Sequence, residues 1–163
     1  MKKYLLALFA LVFLIGISCS EKIDIAKEKE AIKAVFEEEK TGFLNQDYAR
    51  MAETWIQEPS SIKIFMTDKG QTKFNGWDAV SKEDQSGAKD NSWDRKLITV
   101  NFTNYQIDVM NTSAWVMCET HWNGIFKNDT INLVQTRINV LKKVDGKWKF
   151  SLMAIYNIPN KTE

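Results

Sequence analysis

The longest alternation of apolar and polar residues in the chain spans residues 130–157. Two apolar runs are separated there by Asp145-Gly146. Both central residues of a type I′ turn need positive φ, which Asp tolerates and Gly adopts freely. Because a two-residue loop fixes the register, Lys143 is expected opposite Trp148. The pattern therefore predicts a long β-hairpin.

The two faces of this hairpin differ in composition. One is mostly aliphatic and holds Val134, Thr136, Ile138, Val140, Ser151, Met153 and Ile155. The other combines Gln135, Arg137 and Asn139 with large apolar residues, and an unbroken register would add Tyr156 to it. A mainly apolar wall with a few polar groups is typical of a ligand pocket. The alternative is an exposed polar patch beside the core.

Two further strands precede the hairpin, at residues 97–109 and 114–126, joined through Asn111-Thr112. Two-residue turns would extend the Arg137 face with Tyr105, Cys118, Thr120 and Trp122. The aliphatic face would gain Trp115, Met117, Glu119 and His121. A single bulge would reverse either assignment.

Helical patterns occupy the first half of the chain. Residues 24–46 form an amphipathic helix with Asp24 as its N-cap. Asp47 caps a shorter helix, in which Tyr48, Met51, Ala52 and Trp55 follow helical spacing. A strand at residues 61–67 would present Ile62, Ile64 and Met66 together. A third helix begins near Trp77 and decays into residues 81–91, a mobile loop or frayed helix. The order predicts an α+β fold, with N-terminal helices packed on a curved antiparallel sheet.

The N-terminus has the pattern of a targeting signal. Lys2 and Lys3 precede an apolar run at residues 4–17, which is too short for a membrane span and typical of a signal peptide. Residues 16–19, Gly-Ile-Ser-Cys, resemble a bacterial lipobox, although Gly16 stands where leucine is usual. The resemblance predicts lipidation of Cys19, and ordinary secretory cleavage nearby is the alternative.

We divide the chain into a signal at residues 1–19, a tether at 20–26 and one domain at 27–159. The expected location is the bacterial cell envelope, periplasm-facing or on the surface, with membrane attachment through the lipid only. Lipidation of Cys19 would leave Cys118 as the one remaining cysteine, so no disulfide is possible. We expect Cys118 to be a small buried hydrophobe rather than a nucleophile.

Composition excludes several classes of function. The full chain has a net charge of +1, and loss of Lys2 and Lys3 leaves 20 cations against 21 acids. With no basic stripe, nucleic acid is not an expected partner. One histidine, one free cysteine and no carboxylates at ligand spacing predict no metal site. The seven glycines form no phosphate loop, so no cofactor is expected.

Four stretches carry a family resemblance: residues 43–51 (FLNQDYARM), 76–80 (GWDAV), 114–116 (AWV) and 145–150 (DGKWKF). In order and spacing they resemble SnoaL-like bacterial members of the NTF2-like superfamily. The resemblance implies a cystatin-like cone with a pocket between helices and sheet, often in a homodimer. It does not imply one activity, since the fold hosts isomerases, dehydratases, epoxide hydrolases, cyclases and binding modules.

Superfamily members that resemble ketosteroid isomerase place a carboxylate base in the pocket. The Ile62 face of the first strand offers none. His121 and Glu119 become catalytic candidates only if a bulge turns their strand inward. We therefore favour a non-catalytic binding module over an enzyme. The alternative is a small isomerase or hydro-lyase that uses His121 and Glu119, or Tyr48 and Arg137.

The expected ligand is a small apolar or amphipathic molecule held inside the cone. Arg137 would offer a two-pronged contact to a ligand carboxylate, unless it is engaged in an internal ion pair, for example with Glu39. The expected pocket residues are Tyr48, Trp55, Tyr105, Thr120, Trp122, Gln135, Arg137, Asn139 and Tyr156. A homodimer through the aliphatic sheet face would cover the remaining apolar surface.

Overall fold

The computed structural model describes residues 23–157. Its elements are α1 (Ile25–Leu44), α2 (Tyr48–Glu53), β1 (Ile62–Thr67), β2 (Gly70–Asn75), α3 (Trp77–Lys89), β3 (Thr99–Met110), β4 (Ser113–Phe126), β5 (Asp129–Val144) and β6 (Lys147–Asn157). Residues 1–22, which include the predicted signal sequence and Cys19, and residues 158–163 lie outside the described part. The α+β class is confirmed.

One six-stranded sheet has the order β2-β1-β6-β5-β4-β3. Strands β3 to β6 form the expected antiparallel meander. The sheet as a whole is mixed, because β1 pairs in parallel with β6, a pairing that the predicted antiparallel meander did not include. The parallel pair needs a long crossover, which β2, α3 and the meander supply. Strand β2 was not anticipated, since the turn before it obscured its short pattern.

The β5–β6 register follows the sequence prediction only near the turn. Lys143 pairs with Trp148, as expected, and the next inner pair is Leu141 with Phe150. A bulge at Ser151 then shifts the register, and Ser151 donates a hydrogen bond to the carbonyl of Val140 at 3.2 Å.

Beyond the bulge, the faces of β6 are reversed relative to the prediction. Asn139 pairs with Met153 and Arg137 with Ile155, so these two apolar side chains point inward. Tyr156 belongs to the outer face, where it is 40% exposed. Its predicted place in the pocket is therefore wrong, because one extra residue inverts every later side chain on the strand.

The β4–β5 register agrees with the sequence prediction. Cys118 pairs with Arg137 and Thr120 with Gln135 on the inner face, while His121 pairs with Val134 on the outer face. Strand β3 contains a bulge between Thr103 and Gln106, but Tyr105 still points inward.

Helix α1 closes the cone over the inner face of the sheet. Asp24 accepts a hydrogen bond from the N–H of Lys27 at 3.1 Å, the expected N-cap. Ile32 and Phe36 are fully buried, and the Phe36 ring lies 5.6 Å from that of Tyr105. Burial of each such side chain contributes about 1.5–3 kcal/mol.

Helix α3 continues to Lys89, so the prediction of a loop or frayed helix at residues 81–91 is wrong over most of its length. Its buried side is formed by Val80, Asp84 and Ala88, at successive four-residue intervals. The buried carboxylate interrupts the apolar stripe, which is why the pattern was missed. The guanidinium of Arg95 donates to three carbonyls at the C-terminal end of the helix and helps to hold it.

Candidate functional site

A cavity of about 280 Å³ lies between the helices and the inner face of the sheet. The second half of α1, helix α3, strand β1 and strands β3 to β6 supply its walls. Its apolar lining consists of Phe43, Met51, Phe65, Trp93, Val100, Phe102, Trp122, Leu133 and Ile155. The volume is just below the usual range for small-molecule sites, so the cavity suits a compact ligand.

One wall holds a cluster of three charged side chains, of which Lys63 and Asp84 are buried and Glu83 is half-buried. The ammonium of Lys63 on β1 contacts Asp84 Oδ1 at 2.6 Å and also contacts Glu83. Lys63 is 6% exposed and Asp84 is 1% exposed. Asp84 Oδ2 has no hydrogen-bond partner in the described part of the chain. Two carboxylates share one ammonium, so the fully ionised cluster has a net charge of −1.

Burial, with a smaller contribution from Glu83, gives Asp84 an unusual affinity for protons. Burial raises the pKa of Asp84, the ammonium of Lys63 lowers it, and the balance places it at about 6. Burial also lowers the pKa of Lys63, but Asp84 and Glu83 raise it by more. Lys63 therefore stays charged while Asp84 can gain or lose a proton near neutral pH.

This cluster was not predicted, because the sequence pattern placed Ile62, Ile64 and Met66, rather than Lys63 and Phe65, on the inner face of β1. Lys63 pairs with Met153 and Phe65 with Ile155, which places both on the inner side. Ile62 instead pairs with Leu152 on the outer side. The available signal was a lysine at the centre of an apolar strand, together with an aspartate four residues after Val80 on a helix.

The opposite wall holds a second buried ion pair. Arg137 Nη1 donates to Glu39 Oε2 at 2.9 Å, and Nη2 lies 3.0 Å from the sulfur of Met153. The guanidinium also lies 5.3 Å from the ring centroid of Phe102. The alternative role given to Arg137, an internal pair with Glu39, is the observed one. Because Glu39 already neutralises the charge of Arg137, the structure does not support the predicted binding of a ligand carboxylate by Arg137.

A fixed polar strip runs beside this pair. Trp122 Nε1 donates to Gln135 Oε1 at 2.8 Å, and Gln135 Nε2 donates to Asn157 Oδ1 at 2.6 Å. Trp122, Gln135 and Arg137 all line the cavity. These three are the members of the predicted pocket set that the fold brings together there.

Three other predicted residues point inward without lining the cavity. Thr120 and Asn139 are fully buried, and the Thr120 hydroxyl and both polar amide atoms of Asn139 lack hydrogen-bond partners in the described part of the chain. Tyr105 packs against α1, where burial raises the pKa of its hydroxyl. These three residues lie on the inner face of the sheet, outside the part that lines the cavity.

The two predicted helical residues have structural positions. The Trp55 ring is buried in the core, 5.6 Å from that of Phe150. The hydroxyl of Tyr48 lies 2.6 Å from that of Ser81 and ties α2 to α3. Neither lines the cavity, so the pairing of Tyr48 with Arg137 as catalytic groups is not supported.

His121 and Glu119 lie on the outer face of the sheet. His121 Nε2 is 3.2 Å from Glu119 Oε2 and 2.9 Å from Thr103 Oγ1. The bulge that would have turned them inward is absent from the β4–β5 pair and occurs in β3 instead. The condition under which His121 and Glu119 would be catalytic, a strand turned inward by a bulge, is therefore not fulfilled.

Two further predictions concern cysteine and metal. Cys118 is a free, buried cysteine, and burial raises its pKa to about 11, which suppresses the reactive thiolate. Between Ile23 and Asn157, no group of three or more His, Cys, Asp or Glu side chains is arranged to hold a metal ion.

Comparison with known proteins gives similarity at the level of structure. No protein-family model matches the chain, and no curated protein matches it. A structure proposed to be a dehydratase of the NTF2-like family, from Streptomyces avermitilis, has a TM-score of 0.68 at 11% identity and covers 82% of this chain and 97% of its own.

Two further structures agree. One from Novosphingobium aromaticivorans, proposed to be a scytalone dehydratase, has a TM-score of 0.67 at 16% identity, covering 82% of this chain and 85% of its own. A protein of unknown function with a cystatin-like fold, from Nostoc punctiforme, has a TM-score of 0.64 at 14% identity, covering 83% and 94%. The expected architecture is thus confirmed, and the chain has the cystatin-like α+β cone of NTF2-like proteins.

Proposed function

We propose that the cavity binds a small uncharged molecule and that Asp84 transfers a proton to or from it. The reaction class is that of a small isomerase or hydro-lyase. The observation that carries the proposal is a buried carboxyl that lines the cavity, keeps one oxygen without a partner and has a pKa of about 6. The sequence pattern favours a binding module, because the face of β1 that it predicts to point inward carries no carboxylate.

The environment suits acid–base chemistry near neutral pH. A general base works best when its pKa lies near the operating pH. Lys63 holds Asp84 Oδ1 at 2.6 Å and leaves Oδ2 for a substrate. A single carboxylate so placed can take a proton from one carbon and return it to another.

The charge balance favours an uncharged substrate. Glu39 neutralises Arg137, and the Lys63 cluster is negative whenever Asp84 is ionised. A carboxylate ligand would meet no unpaired buried cation there and would be repelled by Asp84. The expected substrate class is a compact, mostly apolar ketone or alcohol.

Asp84→Asn tests this chemistry with 2-tetralone, an uncharged bicyclic ketone with exchangeable α-protons. We expect the full chain to accelerate exchange of these protons for deuterium, followed by proton NMR in deuterated buffer. The rate should rise with pH through about 6, because only the deprotonated carboxylate accepts a proton. Asp84→Asn should lower it by at least about 100-fold.

Two matched variants control this experiment. His121→Ala removes the outer-face histidine and should leave the rate unchanged. Glu83→Gln removes a carboxylate that raises the pKa of Asp84, so it should move the midpoint to lower pH and keep the plateau. Equal rates for Asp84→Asn and the natural chain would contradict the proposal.

A second candidate function is ligand binding without chemistry. It is favoured by the polar strip opposite Asp84, where Trp122, Gln135 and Asn157 satisfy one another and leave little to assist a reaction. In the same NMR experiment, 2-tetralone bound in the cavity but exchanging only at the buffer rate would select this candidate.

We also propose that the chain forms a homodimer through the outer sheet face. Trp115 (38%), Ile138 (45%) and Tyr156 (40%) are exposed there, and Trp115 and Ile138 lie on adjacent strands. Exposed apolar patches of this kind mark association surfaces. Light scattering should give twice the monomer mass, and Ile138→Asp should give the monomer. A natural chain that is monomeric at about 100 µM would contradict this.

A further inference from the structure

One end of the cone is formed by residues 23–29, 110–112 and 142–149, which we term the basic end. Glu28 holds two of these segments together. Its carboxylate accepts hydrogen bonds from Lys143 Nζ and from Trp148 Nε1, both at 2.6 Å. The third segment joins through the N–H of Lys143, which donates to the carbonyl of Thr112 at 2.7 Å.

The basic end differs in charge from the remainder of the domain. It carries six lysines and three carboxylates, a net charge of +3. All other residues between 23 and 157 together hold twelve cations and sixteen carboxylates, a net charge of −4. Within the basic end, Lys27, Lys142 and Lys147 are exposed. Two carboxylates border this end: Glu30 follows Lys29 on α1, and Glu53 Oε2 lies 3.6 Å from Lys149 Nζ. Counting both leaves a net charge of +1 at this end and −2 for the remainder, so the described chain is modestly polarised.

Apolar side chains accompany these lysines. The described part of the chain exposes eight large hydrophobic residues, and four of them lie at the basic end: Ile23 (41%), Ile25 (43%), Met110 (52%) and Val144 (38%). Lysines interspersed with exposed apolar side chains are typical of surfaces that rest on anionic bilayers. Met110 and Val144 lie at the end of the outer sheet face that is nearest the start of α1.

The predicted lipid on Cys19 would hold the basic end close to a bilayer. The described chain begins at Ile23, four residues after Cys19. Four residues span at most about 14 Å even when fully extended. From this reach and the charge pattern, we infer that the basic end rests on the anionic surface of a lipid bilayer. The inference depends on lipidation of Cys19, and it is independent of the chemistry at Asp84.

This orientation directs the cavity away from the membrane. Glu39, Lys40 and Phe43 line the cavity from the second half of α1, whereas Ile25 begins that helix at the basic end. Fifteen residues of helix separate Ile25 from Lys40, a distance of about 22 Å. No helix between Ile23 and Asn157 is long and apolar enough to cross a membrane. The ligand would then enter from the aqueous side rather than from the lipid.

Fluorescence quenching tests this orientation on the full-length protein, purified from membranes and checked by mass for the lipid on Cys19. It is placed in vesicles of 70% phosphatidylcholine and 30% phosphatidylglycerol that contain headgroup nitroxide lipids. An environment-sensitive dye is attached at Val144→Cys or, for comparison, at Lys96→Cys in the exposed loop beside the cavity. Cys118 is 1% exposed and should remain unlabelled.

We expect quenching at position 144 at least about threefold stronger than at position 96. Lys142→Glu combined with Lys147→Glu should reduce the quenching at 144 by at least about half, as should vesicles of phosphatidylcholine alone. Unchanged thermal unfolding would show that the charge-reversed chain remains folded. Equal quenching at both positions, stronger quenching at 96, or a Cys19 without lipid would overturn the inference.

Discussion

Replacing Lys63 with methionine is expected to destabilise the domain by about 3–5 kcal/mol at pH 7, because it leaves the buried Asp84 and the half-buried Glu83 without a counter-charge. The Lys63 side chain is 7% exposed and its ammonium contacts both carboxylates, so water cannot readily replace it. Urea unfolding followed by tryptophan fluorescence measures the change.

The loss should depend strongly on pH. Without Lys63, the folded-state pKa of Asp84 rises further above its unfolded value, so the folded chain holds a proton that the unfolded chain has lost. Stability of the variant therefore falls as pH rises above about 4. At about pH 4, where the carboxyls are largely protonated, the variant should approach the natural chain.

A neutralised cluster provides the control for this change. Lys63→Met combined with Glu83→Gln and Asp84→Asn removes all three charges and should recover most of the stability at pH 7. If Lys63→Met alone costs less than about 1 kcal/mol at pH 7, the two carboxylates are not held as charged groups in a buried site.

Removing the carboxylate of Glu39 is the second change of large expected effect. Glu39→Ala leaves the guanidinium of Arg137, whose side chain is 4% exposed, without its ion-pair partner. We expect a cost of about 3 kcal/mol in urea unfolding. An arginine cannot lose its proton in this range, so the cost should be nearly the same from pH 5 to pH 9, unlike that of Lys63→Met.

Two comparisons isolate the role of the Glu39 carboxylate. Glu38→Ala removes the neighbouring surface carboxylate, which pairs with an exposed arginine, and should leave the unfolding midpoint nearly unchanged. Glu39→Ala should also gain binding of benzoate, because the freed guanidinium lines the cavity, whereas the natural chain should bind it weakly. Strong benzoate binding by the natural chain would contradict the uncharged-substrate proposal.

The sequence by itself determined much of the meander and part of its inner face. Two-residue turns and the two-residue period of a strand place Cys118, Thr120 and Trp122 beside Gln135 and Arg137. Similarly, Asp24 and Asp47 mark the starts of α1 and α2, since a side-chain cap is a local feature. These predictions succeed because each depends on residues close together in the chain.

The tertiary structure alone decided what the cavity contains. The bulge at Ser151 turned Tyr156 outward, and the parallel pairing of β1 with β6 turned Lys63 inward. Helix α3 then brought Asp84 against Lys63, 21 positions away in the chain. Periodicity shows which residues share a face but not which surface that face meets. The pairing of Lys63 with Asp84 could therefore not be predicted from periodicity, because it arises where separate elements pack together.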